Sequence, residues 1–210
     1  MKIRPIILCG GAGTRLWPNV KKHQAKQFID FGKWTLLDKT LQRIKSSIFD
    51  SPIISTNRIY LKQIKRHLNK NKVTNFDIIL EPLKKNTAPA ILTTTLTKSI
   101  PNNQPLLFLS SDHLIDNVAL FNKSINKNKK YLTEDNIFVF GVKPTMPSTE
   151  FGYFLTKKLS KNIDRVSMFV EKPKRLAAKR IIKKKGYWNS GIFFARKDSI
   201  INNYKLFQSN

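Results

Sequence analysis

The chain has 210 residues, of which 40% are hydrophobic and 25% charged, a balance that favours one folded domain and excludes a disordered chain. Its longest apolar run is far shorter than the roughly 20 residues that a membrane-spanning helix needs, so we expect no membrane association. The net charge of +26 suggests a nucleic-acid partner, but the excess is mostly lysine and accompanies abundant Asn and Ile, as AT-rich codons alone would produce, so we do not expect one.

Short β-branched segments alternate with longer helical ones, which is the pattern of βαβ units around a mostly parallel sheet. We predict strands at residues 3–8, 53–55, 77–80, 106–109, 137–142, 166–170 and 191–195. We predict helices at residues 36–46, 59–69, 88–97, 120–131 and 174–185. Pro144 and Pro147 interrupt this rhythm, and residues 151–155 are expected to be extended and to open a second part of the domain.

The first strand ends at Cys9, the only cysteine, which cannot form an internal disulfide. Its place after an apolar run predicts a small buried side chain and not a nucleophile. The same run meets Gly10 without an extended apolar region or a cleavage site, so we expect a cytoplasmic protein.

A glycine-rich loop, Gly-Gly-Ala-Gly-Thr-Arg-Leu-Trp-Pro at residues 10–18, follows that strand. Glycines there let the backbone turn its N–H groups toward phosphate oxygens. A dinucleotide fingerprint needs a small residue where Leu16 stands, and the Walker pattern needs a Gly-Lys-Ser/Thr that the loop lacks. Arg15 and, downstream, Lys26 can bind phosphates. The alternative is a plain turn with solvated cations.

A carboxylate, Asp112, follows the apolar strand at 106–109, and ligands bind at the carboxyl ends of parallel strands. One carboxylate there suits Mg²⁺, which takes its remaining ligands from phosphates and water. The alternative role for Asp112 is to cap the following helix, and His113 is expected to be structural.

Three polar residues in the C-terminal third are candidate ligand-binding residues. Glu171 and Lys172 follow a strand, and because neighbouring residues of a strand point to opposite sides, both can serve one pocket only where the strand ends and turns. Asn189 lies in an Asn-Ser-Gly sequence that predicts a tight turn. A solvated ion pair and a plain turn are the alternatives.

Five motifs in this order resemble the mannose-1-phosphate guanylyltransferase family and cover the chain from residue 3 to about 194. They are the glycine-rich loop with Lys-Gln-Phe at 26–28, Glu-Pro and Asn-Thr-Ala-Pro-Ala within 81–90, Ser-Asp-His at 111–113, Val-Glu-Lys-Pro at 170–173, and Trp-Asn-Ser-Gly at 188–191. The resemblance implies a glycosyltransferase-A-type, Rossmann-like α/β domain over 1–210, with a nucleotide-binding part at 1–142 and the start of a sugar-binding part at 143–210.

The resemblance also implies GMP transfer from GTP to mannose 1-phosphate with Mg²⁺ as cofactor. The implied catalytic residues are Arg15, Lys26 and Asp112, the last also binding the metal. The implied nucleotide-binding residues are Gly10, Gly11, Ala12, Gly13, Thr14, Glu81, Asn86, Thr87 and Ala88, and the implied sugar-binding residues are Gly152, Glu171, Lys172 and Asn189.

Two departures from the family pattern leave alternatives open. Glu150 stands where the family has a glycine, which would obstruct a positive φ or a close sugar approach. Family members continue well past Trp-Asn-Ser-Gly, so we expect this chain to be an N-terminal portion that forms a homo-oligomer or needs a complementing C-terminal chain. The alternatives are another nucleotidyltransferase, which joins glucose 1-phosphate to dTTP, UTP or ATP, and an inactive or partner-dependent remnant.

Overall fold

A computed structural model describes residues 1–11, 25–81, 87–161 and 163–207. The strands are β1 (Arg4–Leu8), β2 (Ile53–Thr56), β3 (Asp77–Leu80), β4 (Pro105–Ser110), β5 (Ile137–Val142), β6 (Tyr153–Lys158), β7 (Asp164–Val170) and β8 (Tyr187–Arg196). The helices are α1 (Leu36–Arg43), α2 (Leu61–Lys70), α3 (Thr87–Thr95), α4 (Val118–Asn128), α5 (Arg175–Lys183) and α6 (Lys197–Phe207). Within this described part, no helix is long and apolar enough to cross a membrane.

The chain divides into two compact units, Met1–Phe138 with Phe193–Asn210, and Val139–Ile192. In the first unit the strand order is β3-β2-β1-β4, followed by the end of β8. The first four strands are parallel, with Ile6 beside Ile53 and Phe108, whereas β8 runs antiparallel to β4. Parallel strands are covered on both faces, which explains why β1 and β4 are almost continuously apolar.

Burial of apolar side chains holds the first unit together. One core cluster joins strands to α3 and α6 and consists of Ile6, Ile53, Ile91, Ile100, Leu106, Phe108, Ala195 and Ile200. Each fully buried aliphatic or aromatic side chain contributes about 1.5–3 kcal/mol. The sheet therefore gives the loops at its carboxyl edge a firm base.

Helix α1 begins with a capping box, in which Thr35 and Asp38 each accept the other's backbone N–H. Asp38 is 1% exposed and also accepts hydrogen bonds from three side chains of α2 or its end, those of His67, Lys70 and Asn71, at 2.8, 2.8 and 2.6 Å. The His67 ring stacks on Phe28, with centroids 5.6 Å apart. This Asp38 cluster thus joins α1 to α2 next to the short turn Lys26–Phe28.

The second unit contains antiparallel pairing of β6 with β7 and with the start of β8, and β5 also pairs with β8. Helix α5 packs on these strands through a core of Tyr153, Ala178 and Ile181. The Tyr153 hydroxyl donates a 2.9 Å hydrogen bond to the carbonyl of Ser148, which ties down the loop before β6.

The predicted α/β class, with a mixed and mostly parallel sheet, is confirmed. All seven predicted strands and all five predicted helices are present, and the extended segment at 151–155 leads into β6. Helix α6 was missed, because two adjacent asparagines give it a weak helical signal. Tertiary contacts hold its start: Ser199 Oγ donates to the Asn136 carbonyl at 2.6 Å, and Lys197 Nζ to that of Ile100 at 2.7 Å.

Candidate active site

Four of the predicted site residues follow strands of the first unit at their carboxyl ends. Gly10 and Gly11 come after β1, Glu81 comes directly after β3, and Asp112 comes two residues after β4. Parallel strands all end at the same edge of a sheet, so the parallel pairing of β1 to β4 brings these segments to one edge. This is the edge where open α/β sheets bind ligands.

The carboxylate of Glu81 lies against Gly10. A Cβ atom at position 10 would stand 3.0 Å from Oε2 of Glu81 and 3.2 Å from Oε1. Ser55, at the end of β2, holds that carboxylate through a 2.6 Å hydrogen bond from its hydroxyl. Gly10 is therefore needed for close approach, and Ser55 is a neighbour of the site that no sequence motif indicated.

Lys26 and Asp112 form an ion pair, with Nζ 3.3 Å from Oδ2. The next residue, Gln27, is 3% exposed and donates a 3.1 Å hydrogen bond to the carbonyl of Cys9. This bond fixes the Lys26 turn to the end of β1, where the glycine-rich loop begins. The structure thus brings together two of the three predicted catalytic residues, and Gln27 is the link that the sequence interpretation missed.

Asp112 is ionised at neutral pH. Burial acts to raise its pKa, but a hydrogen bond from the Ser110 hydroxyl and the positive charge of Lys26 outweigh burial and hold the pKa below its usual value. Burial lowers the pKa of His113, with Arg43 and Lys26 acting in the same direction and Asp112 opposing them. The site therefore presents one carboxylate, one ammonium and an imidazole that stays neutral at pH 7.

The alternative role for Asp112, as a helix cap, is wrong. Asn117 is the N-cap of α4, and its side-chain oxygen accepts the Leu120 N–H at 2.8 Å. The backbone carbonyl of His113 accepts a 2.6 Å hydrogen bond from Arg43, and the structural role expected for its side chain stays a prediction. Cys9 is a buried free thiol, and burial raises its pKa to about 12, in agreement with a packing role.

The predicted sugar-binding residues lie in the second unit. Glu171 and Lys172 follow β7 where the strand ends, and Lys172 has a φ of 43°, so the chain turns at this pair. A Cβ atom on Gly152 would stand 2.7 Å from Oε2 of Glu171, and the Gly152 carbonyl accepts the Asn189 N–H at 2.8 Å. The positive φ at Lys172 is a conformation that costs a non-glycine residue about 1–2 kcal/mol.

One expectation for this unit needs correction. Asn189 does not lie in a tight turn but within β8, where its Oδ1 accepts the Gly191 N–H at 3.1 Å and Gly191 takes a φ of 70°. The Asn-Ser-Gly sequence therefore makes a local irregularity in a continuing strand. Glu150 does not adopt a positive φ, a conformation that among the described non-glycine residues belongs to Lys72, Lys172 and Lys185. That Glu150 obstructs a close sugar approach stays a prediction.

Five predicted site residues lie outside the described residues: Ala12, Gly13, Thr14, Arg15 and Asn86. Thr87 and Ala88 are exposed in the first turn of α3. Over the residues that the structure does describe, no group of three or more His, Cys, Asp and Glu side chains could hold a metal ion.

The chain is similar to several known proteins. Residues 4–208 match the family model described as nucleotidyl transferase. A mannose-1-phosphate guanylyltransferase of Salmonella montevideo is 36% identical over 213 residues, which cover 97% of this chain and 45% of that protein. The chain thus spans about half the length of the curated relatives that it matches.

Solved structures give the same fold. A crystal structure described as mannose-1-phosphate geranyltransferase from Thermus thermophilus has a TM-score of 0.83 and 26% identity, covering 98% of this chain and 60% of that one. A structure described as mannose-6-phosphate isomerase from Helicobacter pylori has a TM-score of 0.80 and 29% identity, covering all of this chain and 76% of that one.

Proposed function

Because the chain belongs to the nucleotidyl transferase family, we propose that it transfers GMP from GTP to mannose 1-phosphate, forming GDP-mannose and releasing pyrophosphate. The observation that carries the proposal is the Lys26–Asp112 pair at the carboxyl edge of the sheet, next to a glycine-rich segment. The name of the Salmonella relative supports the choice of nucleotide and sugar.

In this reaction a phosphate oxygen of mannose 1-phosphate attacks the α-phosphorus of GTP, and the bond to pyrophosphate breaks with its electron pair on the leaving oxygen. The attacking group is the substrate itself, so no covalent protein nucleophile is needed. The protein has to align two anions and to neutralise charge that develops in the transition state. Catalysis therefore rests on cations and on backbone amides, which matches a glycine-rich loop with lysines nearby.

Lys26 would move its ammonium from Asp112 to the triphosphate when nucleotide binds, because a lysine carries its charge on a flexible four-carbon chain. The freed carboxylate of Asp112, held ionised by Ser110, would then hold a divalent cation carried by the triphosphate. We take this cation to be Mg²⁺, because one carboxylate combined with phosphates and waters meets its preference. The bound cation would neutralise phosphate charge. Arg15, outside the described residues, is proposed as the second cation on the triphosphate.

Glu81 and the segment that begins α3 are proposed to face the nucleoside. The Glu81 carboxylate is an acceptor, held by Ser55 next to Gly10, and two such oxygens can accept N–H or O–H groups of a base or a ribose. Thr87 and Ala88 are exposed at the start of α3, where the first backbone N–H groups of a helix have no partner within the helix itself. These groups would select the nucleotide by hydrogen bonding to it, and we propose that Asn86 contributes to the same contacts.

The second unit is proposed to bind the sugar phosphate. The ammonium of Lys172 lies 3.9 Å from Oε1 of Glu171 and can bind a phosphate as a point charge, while Glu171 can accept sugar hydroxyls. Asn189 can donate through Nδ2, which makes no hydrogen bond within the described residues. Gly152 leaves the space that the Glu171 carboxylate occupies.

A substrate matrix tests this proposal. The chain is given Mg²⁺ with GTP, ATP, dTTP or UTP, each against mannose 1-phosphate and glucose 1-phosphate, and pyrophosphate release is followed. We expect GTP with mannose 1-phosphate to be the fastest pair. Preference for dTTP, UTP or ATP with glucose 1-phosphate would support the alternative nucleotidyltransferase function. A separate arm without nucleotide, in which isomerisation of mannose 6-phosphate is followed directly, checks the activity named for the Helicobacter structure. We place the reaction in the cytoplasm, in keeping with the free thiol of Cys9.

A further inference from the structure

Arg43, the last residue of α1, carries a buried guanidinium near the candidate active site. It is 1% exposed, although a cation in the last turn of a helix normally reaches solvent. Burial lowers its pKa to about 10, so the side chain stays charged at neutral pH. Because keeping a charge out of water is costly, the burial of this guanidinium calls for a structural or functional explanation.

The polar contacts of Arg43 lead to helix α4 and to the residue directly after Asp112, and its carbonyl accepts a 3.2 Å hydrogen bond from Asn122 Nδ2. Its Nη2 donates a 2.6 Å hydrogen bond to the carbonyl of His113, and its guanidinium carbon lies 5.8 Å from the centre of the Phe121 ring. No carboxylate of the described residues lies within 4.0 Å of it, and its Nε and Nη1 have no hydrogen-bond partner there. The guanidinium is thus neither paired with an acid nor fully satisfied.

Stability does not explain this arrangement. Replacing buried charged groups by apolar side chains of similar volume is often neutral or stabilising, because the charge no longer has to be kept out of water. A methionine would fill much of the same space on α1. What a methionine cannot do is donate to the carbonyl of His113, the residue directly after Asp112.

We propose that Arg43 is a positioning residue for Asp112: by holding the His113 carbonyl, it fixes the turn after β4 on which the carboxylate is carried. The turn has a second anchor on its other side, the backbone bond from Ser111 N–H to the Leu8 carbonyl at 3.3 Å. Asp112 lies between these two anchors. This inference rests on the proposed function, since it assumes that Asp112 meets the cation of a bound nucleotide.

The test compares Arg43→Met, Asp112→Asn and the double variant with the parent chain. GTP affinity is measured by calorimetry over a series of Mg²⁺ concentrations, and stability by urea unfolding. For Arg43→Met we expect the Mg²⁺ concentration that half-maximally strengthens GTP binding to rise about 10–100-fold, the usual effect of losing a group that orients a metal ligand. Metal-free GTP affinity and the urea midpoint should not fall.

The double variant decides whether Arg43 acts through Asp112. If it does, combining Arg43→Met with Asp112→Asn causes no further change in the Mg²⁺ dependence of GTP binding, because the carboxylate is already removed. If the two residues act independently, their effects on that dependence add. Arg43→Lys, which keeps the charge and one donor, should recover part of the Mg²⁺ dependence. The matched control is Arg66→Met on the exposed face of α2, which should behave as the parent.

An unchanged Mg²⁺ dependence in folded Arg43→Met, or additive losses in the double variant, would overturn the inference. If Arg43→Met does not fold, Arg43→Leu, which likewise lacks a donor, is examined in the same way, and an unchanged Mg²⁺ dependence overturns the inference there too. A parent chain whose GTP binding ignores Mg²⁺ also overturns it. A parent that binds GTP with this Arg43-sensitive Mg²⁺ dependence but releases no pyrophosphate with any substrate pair contradicts the proposed function and leaves the role of Arg43 standing.

Discussion

The ammonium nitrogen of Lys26 lies 3.3 Å from Oδ2 of Asp112. The turn after the glycine-rich loop therefore places a cation directly beside the carboxylate that follows β4. Each is the counter-ion of the other in the ligand-free chain. In the proposed function, a triphosphate with its cation would replace both partners at once.

Lys26→Met should lower turnover by about 10²–10³-fold, because one fixed donor to the developing phosphate charge is lost. The fold should survive, since Lys26 is partly exposed and the turn is held by Gln27. Initial rates of pyrophosphate release and far-UV circular dichroism measure the two effects. The control is Lys62→Met, an exposed lysine of α2. A parent-like rate in Lys26→Met would remove Lys26 from the mechanism.

Gly10→Ala and Gly11→Ala form a matched pair that tests the Glu81 contact. A methyl group at position 10 would stand 3.0 Å from a carboxylate that Ser55 holds in place, whereas a Cβ atom at position 11 meets nothing within 4 Å. Overpacking of this kind costs about 1–3 kcal/mol, so Gly10→Ala should be less stable by roughly 1 kcal/mol and Gly11→Ala should match the parent in urea unfolding. Combining Gly10→Ala with Glu81→Asp, which shortens the acidic side chain, should restore part of the stability that Gly10→Ala loses. Equal stability of the two alanine variants would contradict this contact.

The sequence was sufficient where one local signal determined the outcome. The apolar runs of β1 and β4 predicted strands, and glycines after β1 predicted a loop at the sheet edge. It was insufficient where the outcome depends on residues far apart in the chain, as in the approach of Glu81 to Gly10 or the burial of Arg43 in an otherwise ordinary helix end. Asn189 shows a third case, since an Asn-Ser-Gly sequence is typical of turns but here lies in a strand whose pairing overrides it.

Gly152→Ala should raise the KM for the sugar phosphate and leave the KM for GTP unchanged. Its methyl group would stand 2.7 Å from Oε2 of Glu171 and 2.9 Å from the Phe169 ring, so the proposed sugar-binding carboxylate must shift. We expect a loss of about tenfold, the scale of 1.4 kcal/mol of binding energy. Steady-state kinetics with each substrate varied in turn gives both constants. A rise in the KM for GTP alone would contradict the assignment of Glu171 to the sugar.

Asp38 should make stability depend on pH in the acid range. Burial acts to raise its pKa, but hydrogen bonds from Lys70, His67 and Asn71 outweigh burial and hold the pKa well below its usual value. A depressed pKa in the folded state means that the stabilisation is fully present above the unfolded value of about 4 and is lost as the pH falls below it. Urea unfolding should show that the free energy of unfolding of the parent approaches that of the Asp38→Asn variant as the pH falls from 7 to 2.5. Parallel curves for the two proteins would mean that the carboxylate is not stabilised as the structure indicates.

The most direct measurement of the central claim is the identification of the product. The chain is incubated with GTP, mannose 1-phosphate and Mg²⁺, and the mixture is analysed by mass spectrometry, with Asp112→Asn and a metal-free sample alongside. The account predicts GDP-mannose and pyrophosphate in equal amounts from the parent, and a yield lower by about 10²-fold or more from Asp112→Asn and without metal. The absence of GDP-mannose from the parent reaction, or GDP-mannose formed as fast by Asp112→Asn as by the parent, would contradict it.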